Sequence, residues 1–156
     1  MDDQLTRWDY FLLERHLDRM TAIVAGLGDE RANVTPELTG ANSAYQILLH
    51  CCGMLEWWTR SAVLGREVRR DRDAEFGSSG SVADLLVRVA NVRAQLLSDL
   101  ELIDLDAPLA GDPSDHYVGT PIGASARGVL LHVLEELAQH HGHLEITRDL
   151  VTARHP

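Results

Sequence analysis

The sequence contains little cysteine and no lysine. Its only two cysteines, Cys51 and Cys52, are adjacent, which matches neither a disulfide framework nor the spacing of a zinc-binding pair. Neighbouring side chains in a helix point about 100° apart, so we disfavour a vicinal redox pair and expect two small buried hydrophobes. All fourteen basic residues are arginine. That bias suggests a GC-rich coding sequence and says nothing direct about mechanism.

A surplus of positive charge is also missing. The formal net charge is −10 at pH 7, whereas proteins that bind nucleic acid through its phosphates need clustered basic residues. Anionic membranes are disfavoured for the same reason. Residues 1–4 lack the basic and then apolar pattern of a signal peptide, and no apolar run approaches the roughly 20 residues that span a bilayer. We therefore expect a cytoplasmic protein, with residues 1–156 forming one domain that buries a core without disulfides.

Four segments of the chain show helical periodicity of their apolar residues. The spacing predicts helices over residues 5–27, 43–64, 82–100 and 124–151. Ser43 and Gln46 have the spacing of a capping box at the second helix. Residues 66–81 are charged and then Gly/Ser-rich, which predicts a solvated loop, and residues 103–123 predict a long crossover with room for a short hairpin. These patterns predict an all-α fold, a four-helix bundle with a long crossover before the last helix.

The predicted last helix is dense in side chains that bind metals. Four of them lie three or four residues apart, and so fall on one stripe of the helix: His132, Glu136, His140 and His143. Their spacing alone does not choose among them. His141, about 100° from His140, is expected to point away.

The best partner for this stripe is His50 on the second predicted helix, because bundles build metal sites from inward side chains on facing helices. His50, Glu136 and His140 would form a two-histidine, one-carboxylate set, which leaves coordination positions open for water or substrate. A closed structural zinc site is disfavoured, since such sites use four ligands and favour thiolates. Zinc fits this set, as do nickel, iron and manganese. The competing interpretation has no metal and uses the histidines as pH-sensitive polar groups at a helix interface.

Two motifs carry a family resemblance. His50 lies ahead of Glu56, Trp57 and Trp58, and residues 136–148 read ELAQHHGHLEITR. Together they resemble the DinB-like superfamily, in particular its branch near the mycothiol-dependent maleylpyruvate isomerases, over essentially the whole chain. The resemblance implies a four-helix bundle that forms a homodimer. It also implies metal ligation by His50, Glu136 and His140, with zinc as the leading metal and a low-molecular-weight thiol as cosubstrate.

The function implied is that of a metal-binding, mycothiol-type thiol transferase or isomerase acting on a small electrophile. A divalent ion held by two neutral imidazoles and one carboxylate keeps a positive charge, which lowers the pKa of a bound thiol. No catalytic side chain is predicted, because none stands out as a separate general base. The alternative is a non-enzymatic dimeric bundle that binds metal for a structural, sensing or stress-response role.

Two further features have competing interpretations. Arg148, two turns beyond His140, is a candidate for binding an anionic substrate, or it serves the helix C-terminus, where a cation is favoured. Trp57 and Trp58 could form the wall of a pocket. We favour ordinary core or dimer packing for both, because large aromatics at helical spacing mostly belong to cores.

Overall fold

The computed structural model describes the backbone of residues 3–154 and the side chains of residues 10–153. Within these residues the chain forms five α-helices and no strand: α1 (Asp3–Ala32), α2 (Ala44–Glu56), α3 (Arg72–Gly77), α4 (Val82–Leu100) and α5 (Ala126–Arg154). The four long helices form the bundle, so the predicted all-α fold is confirmed. Among the described helices, none is both long and apolar enough to cross a membrane.

The core lies between the four long helices because each buries one apolar stripe. On α1 the stripe recurs every three or four residues, through Leu13, Leu17, Met20 and Val24, each at most 1% exposed. The corresponding stripe of α4 contains Leu85, Val89, Val92 and Leu96. Helix α5 packs against both α1 and α2, so its two sides face different neighbours.

Helix α2 begins where the capping box predicted. The Ser43 side chain accepts a hydrogen bond from the backbone N–H of Gln46, and the Gln46 side chain accepts one from the backbone N–H of Ser43. The helix then widens into a π-helix over Trp57–Val63. Short π-helical segments inside helices often occur at functional sites, and this one carries Trp57 and Trp58, the two tryptophans of the first motif.

The predicted loop over residues 66–81 is wrong in one respect, because it contains α3. The Asp71 side chain accepts a hydrogen bond from the backbone N–H of Ala74 at 3.0 Å and so caps this short helix. Six residues do not form a stable helix alone. Packing against α2 stabilises α3 instead, and this packing brings α3 to the side of α2 that carries His50.

The crossover between α4 and α5 contains no hairpin in the structure described, which corrects that possibility. It has one short 3-10 helix, Asp115–Tyr117. Its path is held by backbone hydrogen bonds from Ala110 to Val63 (3.1 Å) and from Gly111 to Ala62 (3.0 Å). A Cβ atom on Gly111 would collide with the carbonyl oxygen of Ser61, so glycine permits this close approach.

Candidate metal centre

His50, Glu136 and His140 converge between α2 and α5. One ligand atom from each lies within 4.8 Å of the others, and no other set of three metal-ligating side chains does so among the described residues. Glu136 and His140 are one turn apart on α5, with His140 Nε2 at 3.6 Å from Glu136 Oε2. The rings of His50 and His140 meet edge to face with centroids 4.8 Å apart. Helical spacing supplies two of these side chains and helix packing supplies the third.

Glu75 of α3 holds the ring of His50. His50 Nδ1 lies 2.8 Å from Glu75 Oε2, and both residues are buried. Arg70 binds the same carboxylate in a bidentate pair, at 2.8 and 2.9 Å. Because a carboxylate only accepts hydrogen bonds, Nδ1 is the nitrogen that carries the proton. Nε2 of His50 is then the nitrogen with a lone pair free for a metal, as in carboxylate–histidine–metal triads.

Gly53 makes room for this support. It lies one turn beyond His50 in the interior of α2, and a Cβ atom there would collide with the carboxylate of Glu75. Sequence reasoning missed Glu75. The available signal was this glycine, since an interior helical glycine costs roughly 1 kcal/mol relative to alanine and so points to a close packing partner.

Burial keeps both imidazoles of the cluster neutral. It is the main cause of a lowered pKa for His50, where the Glu75 hydrogen bond opposes it. Burial, followed by the charge of His50, lowers the pKa of His140 to about 4. The charge of Arg72 also lowers the pKa of both rings, by a smaller amount. Neutral imidazole is the form that binds metals, so no proton has to leave either ring at neutral pH.

A cavity of about 580 Å³ opens beside the three side chains. Its wall also includes residues of α2, the π-helix, the α3 region, the crossover and α5: Met54, Trp57, Trp58, Arg70, Arg72, Ser114, Tyr117, His132 and Gln139. The side chains of His140 and Glu136 are 21% and 28% exposed, so solvent reaches the cluster. Both tryptophans line this cavity, and both also take part in core packing, Trp58 as a member of the core and Trp57 packed against it.

The remaining histidines of α5 lie outside the cluster. His132 lines the cavity, with its ring against Tyr117 (4.7 Å between centroids) and Trp58 (5.1 Å). The ring of His143 is 6.4 Å from that of His140. His141 points to the other side of the helix, as predicted, where its ring meets that of His16 on α1.

Arg148 is not among the residues that line this cavity. It lines a different one, of about 370 Å³, between α1 and α5. Its guanidinium pairs with the neighbouring Asp149 at 2.8 Å. The structure thus does not bring Arg148 together with the other predicted site residues.

The cysteines are unsuited to act as nucleophiles. Cys51 and Cys52 are both fully buried, as expected of small hydrophobes. Burial raises the pKa of Cys51 well above its ordinary value and that of Cys52 to about 12. A nucleophilic thiol at this site therefore has to come from outside the chain.

Comparison with known proteins gives a family and a fold. The family model for mycothiol-S-transferase matches residues 11–153. A crystal structure described as the conserved protein of locus from Enterococcus faecalis has a TM-score of 0.73 and 17% sequence identity, and the match covers 98% of this chain and 99% of that one. At this identity the likeness shows the fold alone. No curated protein matches the chain.

Proposed function

Because the chain belongs to the DinB-like mycothiol-S-transferase family, we propose that it is a metal-dependent transferase that joins a mycothiol-type thiol to a small electrophile. The observation that carries the proposal is the convergence of His50, Glu136 and His140 on the wall of a solvent-reached cavity. Three protein ligands leave coordination positions open, which a catalytic site needs and a closed structural site lacks.

The side chains present fit a divalent metal. Two neutral imidazoles and one carboxylate suit zinc, and equally nickel, iron or manganese. The hydrogen bond from His50 Nδ1 to Glu75 orients the ring as second partners of metal ligands do. When bound, such an ion supplies a positive charge that lowers the pKa of a thiol, so that the thiolate is present at neutral pH.

The cavity beside the cluster and a neighbouring cavity provide separate places for the electrophile and the thiol. Trp57, Trp58 and Met54 offer an apolar wall to an electrophile. A second cavity, of about 710 Å³, shares Trp57 and Ser114 with the first and is otherwise lined mainly by small and polar residues between the π-helix and the crossover. It has room for the polar remainder of a large thiol. In the transfer, the thiol sulfur bonds to the electrophilic carbon, the leaving group departs with the electron pair of the broken bond, and the thiol proton goes to solvent.

A purely structural or sensing role for the metal is the competing function. It would use the same ligands but would not need a solvent-reached cavity beside the cluster, so this cavity favours the transferase. A cytoplasmic location and a homodimeric state stay predictions from the sequence.

The test is thiol-dependent turnover by protein reconstituted with zinc. We expect mycothiol to be consumed together with 1-chloro-2,4-dinitrobenzene faster than without protein, and we expect removal of zinc to abolish the difference. Glu136→Gln should lose both zinc and turnover. His143→Ala is the matched control, because it removes a neighbouring histidine outside the cluster, and it should retain both. Zinc binding without turnover of this or any other electrophile tried would instead support the non-enzymatic role.

A further inference from the structure

Two arginines line the cavity at the metal centre of this acidic protein. Acidic residues outnumber basic ones by 24 to 14 in the chain, yet two arginines and one carboxylate line this cavity: Arg70, Arg72 and Glu136. Charged side chains of one sign on a cavity wall raise the local concentration of ligands of the opposite sign. This wall therefore attracts an anionic ligand only where one of the arginines has no counterion within the protein.

The two arginines have different surroundings. Arg70 is held by Glu75 in the bidentate pair that supports His50, so its charge is neutralised within the protein. Arg72 pairs with no carboxylate among the described side chains. Since Glu136 is itself a proposed metal ligand, the guanidinium of Arg72 is the charge on the cavity wall that still lacks a counterion.

Arg72 is nevertheless held in place. Its guanidinium carbon lies 5.3 Å from the centre of the Phe76 ring, within the range of a cation–π contact. Phe76 in turn stacks on His50, with ring centroids 4.5 Å apart and planes inclined by 28°. This layered contact places the guanidinium one ring away from the metal cluster. A planar donor in that position suits a carboxylate, which it can bind through two parallel hydrogen bonds.

We propose that Arg72 binds an anionic group, such as a carboxylate, on the electrophile, and that the protein therefore prefers anionic electrophiles to neutral ones of the same shape. The inference rests on the proposed transferase function and adds the substrate class to it. Arg72 acts in binding and takes no part in bond making.

The turnover experiment compares two electrophiles that differ in one charge, 4-(chloromethyl)benzoate and its methyl ester. In each, the thiol sulfur bonds to the benzylic carbon, the carbon–chlorine bond breaks, chloride leaves and the thiol proton goes to solvent. For each electrophile, kcat/KM with mycothiol is divided by the rate constant of the uncatalysed reaction. The value for the carboxylate is then divided by the value for the ester, and this ratio is the preference. We expect a ratio of about ten in favour of the carboxylate for the wild type, in keeping with one bidentate charge-assisted contact to Arg72, which is exposed.

Three variants locate the preference. Arg72→Gln should bring the ratio close to one, and Arg72→Lys, which keeps the charge but not the planar fork, should give an intermediate ratio. The control is Arg69→Gln, since Arg69 lies in the same segment, 94% exposed and paired with Glu67 outside the cavity. It should keep the wild-type ratio. An unchanged ratio in Arg72→Gln, or no preference in the wild type, would overturn the inference.

A binding measurement separates this inference from the proposed function. Calorimetric titration with 4-methylbenzoate and with neutral 4-methylbenzamide needs no turnover. We expect Arg72→Gln to weaken benzoate binding about tenfold in zinc-loaded and metal-free protein alike, and to leave benzamide binding unchanged. Loss of benzoate binding on metal removal but not in Arg72→Gln would show that the anion binds the metal, against the inference. If neither electrophile reacts while the arginine-dependent binding holds, the transferase function fails and the assignment of Arg72 stands.

Discussion

Helix α5 presents histidines to two neighbouring helices, and the two clusters differ in what they can bind. On the side of α2, His50, Glu136 and His140 bring three ligand atoms within 4.8 Å of one another beside an open cavity. On the side of α1, His141 meets His16, with their Nδ1 atoms 3.1 Å apart. The two sides lie next to each other in sequence, since His140 and His141 are consecutive.

In the second cluster, the rings of His16 and His141 form a hydrogen bond with each other. At 3.1 Å one Nδ1 donates a hydrogen bond to the other, which occupies the Nδ1 lone pair of the accepting ring. The nearest carboxylate, Glu145, has its Oε1 at 3.8 Å from His141 Nε2 and is half exposed. At the first cluster, by contrast, Glu75 accepts a hydrogen bond from Nδ1 of His50 and leaves the lone pair of Nε2 free. A histidine pair thus becomes a candidate metal site when a third ligand lies one turn away on one of its helices and a carboxylate of another element orients one ring.

The strongest test of this difference between the two clusters is to replace the adjacent residues His140 and His141 in turn. His140→Ala removes one of three proposed ligands, and we expect affinity for zinc to fall by more than the roughly 10- to 100-fold that loss of an outer partner causes. His141→Ala, one residue away on the other side, should keep its zinc. Metal content after dialysis and competition titration measure both, with circular dichroism as the check on folding. Equal loss in the two variants would contradict the assignment.

The next test compares the carboxylate of each cluster. Glu75→Gln leaves a similar shape but removes the charge that orients His50, and zinc affinity should fall by roughly 10- to 100-fold. Glu145→Gln makes the same chemical change beside His141 and should leave zinc affinity unaltered. The readout is the zinc dissociation constant from competition with a chelating dye. Similar constants for Glu75→Gln and the wild type would show that the contact with His50 is only structural.

Two helical glycines provide a further test of the support that Glu75 gives to His50. Gly53→Ala places a methyl group where the Glu75 carboxylate lies, so we expect zinc affinity to fall about tenfold, near the lower end of an outer-partner effect. Gly142→Ala on α5 meets open space. It should raise stability by roughly 0.5–1 kcal/mol through helix propensity alone and leave zinc binding unchanged. Chelator competition and urea unfolding measure the two quantities. A gain in stability without loss of zinc in Gly53→Ala would refute the role given to the glycine.

The smallest expected effect concerns the pH dependence of the second cluster. Burial, and then the charge of His141, lower the pKa of His16 below its ordinary value of 6.5. The unfolded chain therefore binds a proton at His16 before the folded chain does, so this contribution to stability is complete above about pH 7 and is lost as the pH falls. Because His16 is only partly buried, the loss should stay under about 1 kcal/mol.

Urea unfolding of the metal-free protein at pH 7 and pH 5 measures this contribution. His16→Gln should lose less stability between the two values than the wild type does, while the other lowered histidines contribute equally to both proteins. His116→Gln, at an exposed position, should behave as the wild type. A steeper loss in His16→Gln would show that the sign is wrong.

Much of the fold could be predicted from the sequence because its signals are local. The apolar stripes of α1 and α4 and the capping box at Ser43 each depend on residues within a turn or two of one another. The end predicted for the first helix, at residue 27, coincides with a break at Gly28, whose φ of 66° is not helical, although the chain resumes a helical path to Ala32. The short α3 was missed because tertiary packing, rather than periodicity, stabilises it.

The candidate site divides in the same way. The four-residue spacing of Glu136 and His140 placed them together, and the expectation that a bundle builds metal sites from facing helices brought in His50. The resemblance to the DinB-like superfamily, confirmed by the family match, implied the same three residues. Glu75 lies 25 residues from His50 in sequence, so no helical period connects them. Arg148 shows the limit of helical spacing, because a position two turns from His140 along the same helix faces a different cavity.

The sequence by itself determined the four long helices, the capping box of α2 and which donor atoms each long helix carries, because backbone hydrogen bonds and side-chain spacing act over a few residues. Only the tertiary structure decided which donors meet. The contact of α2 with α5 brings His50 to Glu136 and His140, and the packing of α3 on α2 brings Glu75 and Phe76 to His50. These contacts depend on burying apolar faces of distant segments against one another, which is a property of the whole chain and not of any motif within it.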